Sequence, residues 1–207
     1  MRARAIATTL AVLQLALISS CSEESVTNTS PEYSRDTPAA LAKALAYSIE
    51  YRDISVYDEC LHDEYLFTFV SFDAEFVGLP EDEPWWGKTE DVNAMSVVFN
   101  NPVVVGIECA IEVNSGPWPT EHGFIYRLEP DMLFTATRSL DYEGMVLSVQ
   151  DYWFDVEIVA DPYETGKWVF KGIDEASKGP WSARSDPGPG PMAYSSTFGI
   201  VKALFGQ

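Results

Sequence analysis

Histidine, cysteine and basic residues are scarce in this chain of 207 residues. It has two histidines, three cysteines, and 13 lysines and arginines against 32 aspartates and glutamates, for a net charge of −19. Such acidity argues against nucleic acid as a partner, because phosphate backbones are bound by clustered Lys and Arg. His62 and His122 lie outside any nucleophile motif, which argues against a hydrolytic triad. The acidic run Glu81-Asp82-Glu83 lacks the glycine and alternation of a calcium loop. We expect no metal and no cofactor.

Long apolar runs are also lacking, with one exception at the N-terminus. The uncharged stretch from Ala5 to Ile18 follows Arg2 and Arg4 and leads into small residues. This pattern predicts a secretory signal over residues 1–20. Cys21 comes directly after those small residues, an arrangement that resembles a bacterial lipobox and implies lipidation, including palmitate, at Cys21. The alternative is an ordinary signal with a coincidental cysteine.

The expected location follows from the same residues. Two or more acyl chains would anchor the protein durably, since each buried methylene contributes about 0.8 kcal/mol. Ser22, rather than Asp, follows the cysteine, and by resemblance to Gram-negative lipoproteins this implies the outer membrane, facing the periplasm. The membrane is therefore an expected partner. An oxidising compartment would permit a disulfide between Cys60 and Cys109; the alternative is that both are small buried hydrophobes.

The order of predicted elements indicates an α+β domain. Residues 21–36 are polar and aperiodic and are interpreted as a lipidated, flexible tether. Helices are predicted from Thr37, from Asp53 and from about Thr89, and the acidic stretch from Asp73 to Pro84 is interpreted as irregular. Strands follow from Val103 onward, including a strand over Phe124 to Arg138 that is interrupted at Glu129-Pro130-Asp131 and one long strand over Met145–Ala160. Residues 176–207 are interpreted as a Gly/Pro-rich loop and a C-terminal segment, Ser196 to Phe205, that forms either a last short helix or a docked terminal segment. Helices followed by antiparallel strands predict helices packed on one face of a curved sheet.

Three motifs within residues 37–175 suggest a known architecture: Tyr51-Arg52-Asp53, an aromatic strand over Tyr65, Phe67 and Phe69, and a closing strand from Lys167 to Asp174. With these motifs the chain resembles the NTF2-like (SnoaL, ketosteroid-isomerase-like) superfamily, and also uncharacterised exported lipoproteins with this domain. The resemblance implies a cone-shaped roll of a curved, mainly antiparallel sheet covered by three N-terminal helices. It also implies that the exposed sheet face pairs two copies into a homodimer. No catalytic residue of the superfamily maps onto a matching motif here.

Two carboxylates on the predicted strand are the catalytic candidates. Asp151 and Asp155 share a face with Glu157, and Tyr152 lies on the opposite face. Inside the cone, a desolvated Asp would have a raised pKa and serve as a general base. The opposite face is more continuously apolar, which favours the alternative that both aspartates face solvent.

Aromatic residues supply the ligand-binding candidates. A pocket for a small apolar ligand would use Tyr51, Trp86, Tyr126, Trp153 and Trp168; the alternative is that such residues fill the core. The tyrosines Tyr47, Tyr57 and Tyr65 add phenols that would face a cavity. The leading hypothesis is a membrane-anchored lipoprotein with a noncatalytic binding or interaction domain. The alternative is a cofactor-free isomerase, dehydratase or cyclase that uses a cavity Asp and Tyr.

Overall fold

The computed structural model describes residues 33–138, 142–150, 152–177, 193–195 and 197–205. Among these residues no helix is both long and apolar enough to cross a membrane. The elements, in chain order, are α1 (Pro38–Glu50), α2 (Ile54–Glu59), β1 (Leu61–Thr68), α3 (Ser71–Phe76), β2 (Trp85–Gly87), α4 (Lys88–Asn100), β3 (Val104–Pro119), β4 (Gly123–Arg138), β5 (Tyr142–Val149), β6 (Tyr152–Ala160), β7 (Trp168–Ser177), β8 (Ala193–Ser195) and α5 (Phe198–Phe205).

The first two helices begin where local chemistry predicts. The Thr37 hydroxyl accepts from the Ala40 amide at 3.1 Å, and Pro38 occupies the first helical position of α1. The Asp53 carboxylate accepts from the Ser55 and Val56 amides at the start of α2. These side chains satisfy amides that the first helical turn leaves without partners. Helix α1 then buries one apolar face against the sheet.

A mixed, strongly curved sheet forms the body of the domain. Its strand order is β2-β1-β7-β6-β4-β5-β8, with β3 paired to the other edge of β4. The β1–β7 and β5–β8 pairs are parallel and the others are antiparallel. The prediction of an α+β cone with a mainly antiparallel sheet is therefore confirmed.

Strand β4 changes partner halfway along, and this corrects two sequence predictions. Its first half pairs with β6 as far as Leu128, and its second half pairs with β5 from Met132 onward. Pro130 lies in the gap between these partners while it stays in register with Ile111 of β3, so the predicted interruption of this strand is absent. The single strand predicted over Met145–Ala160 is wrong: β5 ends at Val149 and β6 begins at Tyr152, because each pairs with a different half of β4.

Two helices occur besides the three N-terminal ones that were predicted. Helix α3 overlaps the acidic stretch that was interpreted as irregular, whereas α5 is the last short helix that was one of two interpretations of the C-terminal segment. The core lies between the inner face of the sheet and the helices. Its largest buried side chains on the strands are Tyr65, Phe67, Phe134, Phe154 and Phe170.

The chain joins this body at Arg35, within the segment interpreted as a tether. The Arg35 side chain is buried and donates to the Glu59 carbonyl at 2.7 Å, to Asp161 at 2.8 Å and to Glu164 at 3.0 Å. Its own carbonyl accepts from the Trp168 amide at 2.8 Å. Arg35 therefore connects α2 to the turn between β6 and β7.

Candidate functional site

The interior of the cone is occupied by helix α5. Its first residue, Phe198, lies among the rings of Phe67 on β1, Phe134 on β4 and Phe154 on β6, with ring centroids 5.9 to 6.3 Å apart. Val201 and Lys202, one turn later, are fully buried. The helix thus supplies three side chains to the space between the sheet and α4. The sequence did not predict that this segment fills the interior.

A buried ion pair lies at the centre of this space. Lys202 donates to the carboxylate of Asp91 on α4, and both side chains have 0% exposure. The second carboxylate oxygen of Asp91 accepts from the Tyr57 hydroxyl at 2.7 Å. The ammonium of Lys202 also lies 3.4 Å from the centroid of the Phe67 ring and 4.4 Å from that of Phe198. Aromatic faces attract a cation at such distances, most strongly when it is desolvated.

Tyr65 brings a second phenol to the same region. It lies on the inner face of β1, fully buried, and its hydroxyl has no hydrogen-bond partner among the described residues. A buried hydroxyl without a partner is costly, by about 1 to 3 kcal/mol. Burial, together with the negative charges of Asp91 and Glu175, raises the pKa of Tyr65 well above its ordinary value.

The start of α5 rests on two further buried carboxyl groups. Glu175 of β7 accepts from the amides of Phe198, at 2.6 Å, and Gly199, at 3.2 Å. Asp73 of α3 accepts from the Thr197 hydroxyl. Burial, assisted by the neighbouring charge of Asp73, raises the pKa of Glu175 to about 8. Burial raises the pKa of Asp73 to about 6, a shift that the Thr197 hydrogen bond opposes.

These shifts indicate what the cluster can do chemically. Burial lowers the pKa of Lys202, an effect that Asp91 partly offsets, and burial next to Asp91 raises the pKa of Tyr57 well above its ordinary value. The cluster of Tyr57, Tyr65, Asp91, Glu175 and Lys202 therefore contains acids and bases of the kind that transfer protons. In this arrangement, however, the Asp91 carboxylate is already paired, and α5 fills the space next to it.

The structure places Asp155, one of the two predicted carboxylates, outside this interior. Asp155 lies on the outer face of β6, where Arg127 donates to both of its oxygens at 2.6 Å. Tyr152 is buried at the start of β6. Asp151 lies outside the described residues. The alternation on β6 buries Phe154, Val156 and Ile158 and turns Asp155 outward, which is the alternative that the sequence favoured.

The five aromatic ligand candidates do not converge either. Tyr51 is 62% exposed at the end of α1 and stacks on Tyr47, with centroids 4.7 Å apart. Trp153 lies on the outer face next to the Arg127 guanidinium. Trp86, Tyr126 and Trp168 are half-buried and pack against the edge of the core. They are separate packing residues rather than the walls of one pocket.

Cys60 and Cys109 are free thiols, so the structure contains no disulfide between them. Burial raises the pKa of Cys60 to about 12, and it raises that of Cys109 as well, which disfavours the thiolate form of both. Cys21 lies outside the described residues. Within the part of the chain that the structure describes, no group of three His, Cys, Asp or Glu side chains is arranged to hold a metal.

Clefts also occur on the surface of the described residues, and two of them lie apart from the interior cluster. The first has a volume of about 180 Å³ and lies between β1 and the β6–β7 turn, lined by Arg35, His62, Lys88 and Tyr163 among others. The second, of about 400 Å³, lies where β4 changes partner, and half of its lining residues are acidic, including Glu112 and Asp131. Both clefts open to the outer surface.

Sequence reasoning missed Asp91 and Lys202, although helical spacing carried a signal. Asp91 shares a face of α4 with Met95 and Val98, all buried, and Lys202 follows Phe198 by four residues on α5. A charged residue within an apolar stripe predicts a buried partner of opposite charge. The partner lies 111 residues away along the chain, which no local pattern can identify.

No protein-family model matches the chain, and no curated protein matches it by sequence. Solved structures do match. A scytalone dehydratase-like protein from Novosphingobium aromaticivorans is similar with a TM-score of 0.50 and 9% identity, over 73% of this chain and 88% of that one.

Two further matches carry names of the superfamily. An NTF2-like superfamily protein from Salmonella enterica has a TM-score of 0.44 and 12% identity, over 72% of this chain and 94% of that one. A ketosteroid isomerase-like protein from Erwinia carotovora has a TM-score of 0.45 and 16% identity, over 68% and 93%. The curved mixed sheet, its helical cover and the similarity to solved structures show that this chain has the fold of the NTF2-like superfamily.

Proposed function

We propose that the chain is a lipoprotein of the bacterial cell envelope, anchored through Cys21 in the outer membrane and facing the periplasm, and that its NTF2-like domain is a noncatalytic binding or interaction module. One observation carries the noncatalytic part: α5 occupies the interior with Phe198, Val201 and Lys202. A substrate would need that space and would have to displace an ion pair to reach Asp91.

The state of the charged groups supports the same proposal. A general base must lie within hydrogen-bond reach of the proton that it removes from the substrate. Asp91 already accepts from Lys202 and from Tyr57, and Glu175 already accepts from the amides of α5. Both carboxyl groups thus serve to hold the helix in the cone.

A proton-exchange assay tests the noncatalytic part. Ketosteroid isomerase-like and dehydratase-like neighbours suggest carbonyl substrates, so an unsaturated ketosteroid and a simple cyclic ketone would be incubated with the protein in heavy water. We expect the wild-type protein to incorporate deuterium at the carbon next to the carbonyl no faster than the Asp91→Asn and Tyr57→Phe variants do. Incorporation above that of both variants would refute the proposal.

The anchor is tested separately. Cells that express the full chain would be fed labelled palmitate and fractionated, with Cys21→Ala as the matched control. We expect label and membrane partition in the wild-type chain and neither in the variant. A Cys21→Ala protein that still partitions entirely into membranes would count against the lipid anchor.

A cofactor-free enzyme of the isomerase, dehydratase or cyclase type is the second candidate. The observation in its favour is an acid next to phenols inside the cone: Asp91 is bonded to Tyr57, and the Tyr65 hydroxyl is unpaired in the described chain. This activity would require α5 to leave the interior. If the protein is such an enzyme, turnover should increase in any variant that loosens α5. If it is a binding module, no variant should show turnover.

The outer face of the sheet supports a homodimer. Trp118 of β3 and Ile125 of β4 pair in register there, and they are 47% and 36% exposed. Pairing two copies over this face would bury both side chains. Sedimentation of wild-type protein and of a Trp118→Glu variant tests this, and a monomer at high concentration for the wild type would rule the dimer out.

A further inference from the structure

We propose that the interior of the cone is a binding site for an apolar molecule that carries a primary ammonium group, and that α5 is the occupant that the chain supplies for itself. The inference rests on the proposed role as a binding module and specifies its class of ligand. The ammonium subsite is defined here as Asp91, Tyr57, Tyr65 and the face of the Phe67 ring.

Lys202 marks the position of the ammonium group. Its Nζ donates to Asp91 and lies 3.4 Å from the centroid of Phe67, which combines a carboxylate with an aromatic face. Recognition of cationic ligands uses this combination of groups. An anionic ligand in the same place would face the buried Asp91 carboxylate at low dielectric. The subsite therefore discriminates by the sign of the charge.

Phe198 marks the position of the apolar part. Its ring lies among Phe67, Phe134 and Phe154, all fully buried. Lys202 follows Phe198 by four positions, so the helix presents a phenyl ring and an ammonium on one face, as a small aromatic amine does. Mostly apolar walls with a few convergent polar groups are typical of ligand sites.

One hydrogen bond within the subsite remains unmade while α5 is in place. The Tyr65 hydroxyl is buried near Asp91 and Glu175 and has no partner among the described residues. An ammonium group has three donors. A free amine, which the backbone of a helix does not constrain, can donate to Asp91 and Tyr65 together. This is a contact that the ligand gains and that α5 lacks.

Helix α5 is also a suitable competitor, because it has little stability of its own. It has eight residues, and isolated helices shorter than about 12 to 15 residues are marginal in water. Its docking is tight at Gly199, where an added Cβ would lie 2.7 Å from a carbon of the Phe69 ring. A Gly199→Ala substitution therefore loosens α5 without removing any side chain from the interior. Gly172→Ala is the matched control, because its nearest neighbour would be 3.7 Å away.

Competition fixes how the affinity must change. The apparent dissociation constant of a ligand is its intrinsic value divided by the fraction of molecules in which the site is open. If Gly199→Ala raises that fraction about tenfold, the amine binds about tenfold more tightly. Asp91→Asn has the opposite effect on binding, even though it also loosens α5, because it removes the carboxylate that holds the ammonium.

The experiment uses the full chain and two probes of similar size, 2-phenylethylammonium and 3-phenylpropionate. Calorimetry gives the affinities, and hydrogen exchange follows the amides of α5. We expect the amine to bind Gly199→Ala about tenfold more tightly than it binds the wild-type and Gly172→Ala chains, to speed exchange in α5, and to lose affinity in Asp91→Asn. We expect phenylpropionate to bind at least about tenfold more weakly than the amine.

Equal affinity for the two probes, binding that survives Asp91→Asn, or no amine binding to Gly199→Ala would each overturn the inference. If Gly199→Ala does not fold, Val201→Ala loosens the same helix and takes its place. Mass spectrometry of the recovered amine separates the two proposals. Chemical conversion of the amine that depends on Asp91 would refute the noncatalytic role, whereas absence of binding refutes only the ligand class.

Discussion

Replacing Lys202 by Met tests the buried ion pair between Lys202 and Asp91. Met keeps the length and apolar stem of lysine but removes the ammonium, so the Asp91 carboxylate stays buried with only the Tyr57 hydrogen bond. Removing one partner of a buried ion pair typically costs about 3 to 5 kcal/mol, since the remaining charge is uncompensated. The total free energy of unfolding of a globular domain is about 5 to 15 kcal/mol. We therefore expect Lys202→Met to remove a large share of the stability.

Urea unfolding of the Cys21→Ala chain, followed by tryptophan fluorescence, measures this loss. With a slope of about 2 kcal/mol per molar urea, the midpoint falls by about 2 M. Adding Asp91→Asn removes the orphaned charge, so the double variant is expected to be more stable than the sum of the single effects by about 2 to 3 kcal/mol.

Lys171→Met is the control for this prediction. The Lys171 Nζ lies 3.7 Å from Glu64, whose side chain is 74% exposed, and such a surface pair contributes at most about 1 kcal/mol. A Lys202→Met variant that unfolds within about 1 kcal/mol of the wild type would show that the interior ion pair is absent in solution, or that water reaches Asp91. Strict additivity with Asp91→Asn would refute the direct contact.

Three further predictions concern other parts of the fold. The pKa of Glu175 is raised from 4.5 to about 8 in the folded state, so its contribution to stability is complete below about pH 4.5 and is lost as the pH rises through 8. Between these pH values the unfolding free energy should fall by up to ~1.4 kcal/mol per pH unit. Urea titrations at several pH values measure this slope, and Glu175→Gln should flatten it. Gly123→Ala should lower the unfolding free energy by about 1 to 3 kcal/mol or more, because the added Cβ would overlap the Ile158 carbonyl oxygen. The control Gly172→Ala should change it by less than about 0.5 kcal/mol. Equal thermal midpoints for the two variants would contradict the β4–β6 register. Asp53→Ala should lower the unfolding free energy by about 1 kcal/mol, because it removes the N-cap of α2. Asp36→Ala, at an exposed position, is the control. Equal urea midpoints for the two variants would mean that α2 starts at another residue.

The sequence predicted those elements whose cause is local. Thr37 and Asp53 accept hydrogen bonds from amides two or three residues ahead, so the starts of α1 and α2 depend on residues that are adjacent in the chain. The outward position of Asp155 followed in the same way from strict alternation along β6. In each case the information lies within one turn or one strand.

The remaining features depend on contacts between distant residues. The break between β5 and β6 arises because β4 changes partner near Pro130, and the sequence of β5 and β6 alone carries no mark of it. The occupant of the cone was missed for a similar reason. The apolar stripe of α5 was visible in the sequence, but its partners, Phe67 and Asp91, are supplied by β1 and α4 more than a hundred residues earlier.

Arg35 has a mechanical consequence. A pulling force applied to the chain before Tyr33 reaches the guanidinium and carbonyl of Arg35 before it reaches α1. The load then divides between the Glu59 carbonyl, the carboxylates of Asp161 and Glu164, and the Trp168 amide. These bonds lie on three elements, namely α2, the β6–β7 turn and the first residue of β7, so the load is shared among them. The domain can thus be held under tension by its N-terminal side without unwinding the helix that covers its core.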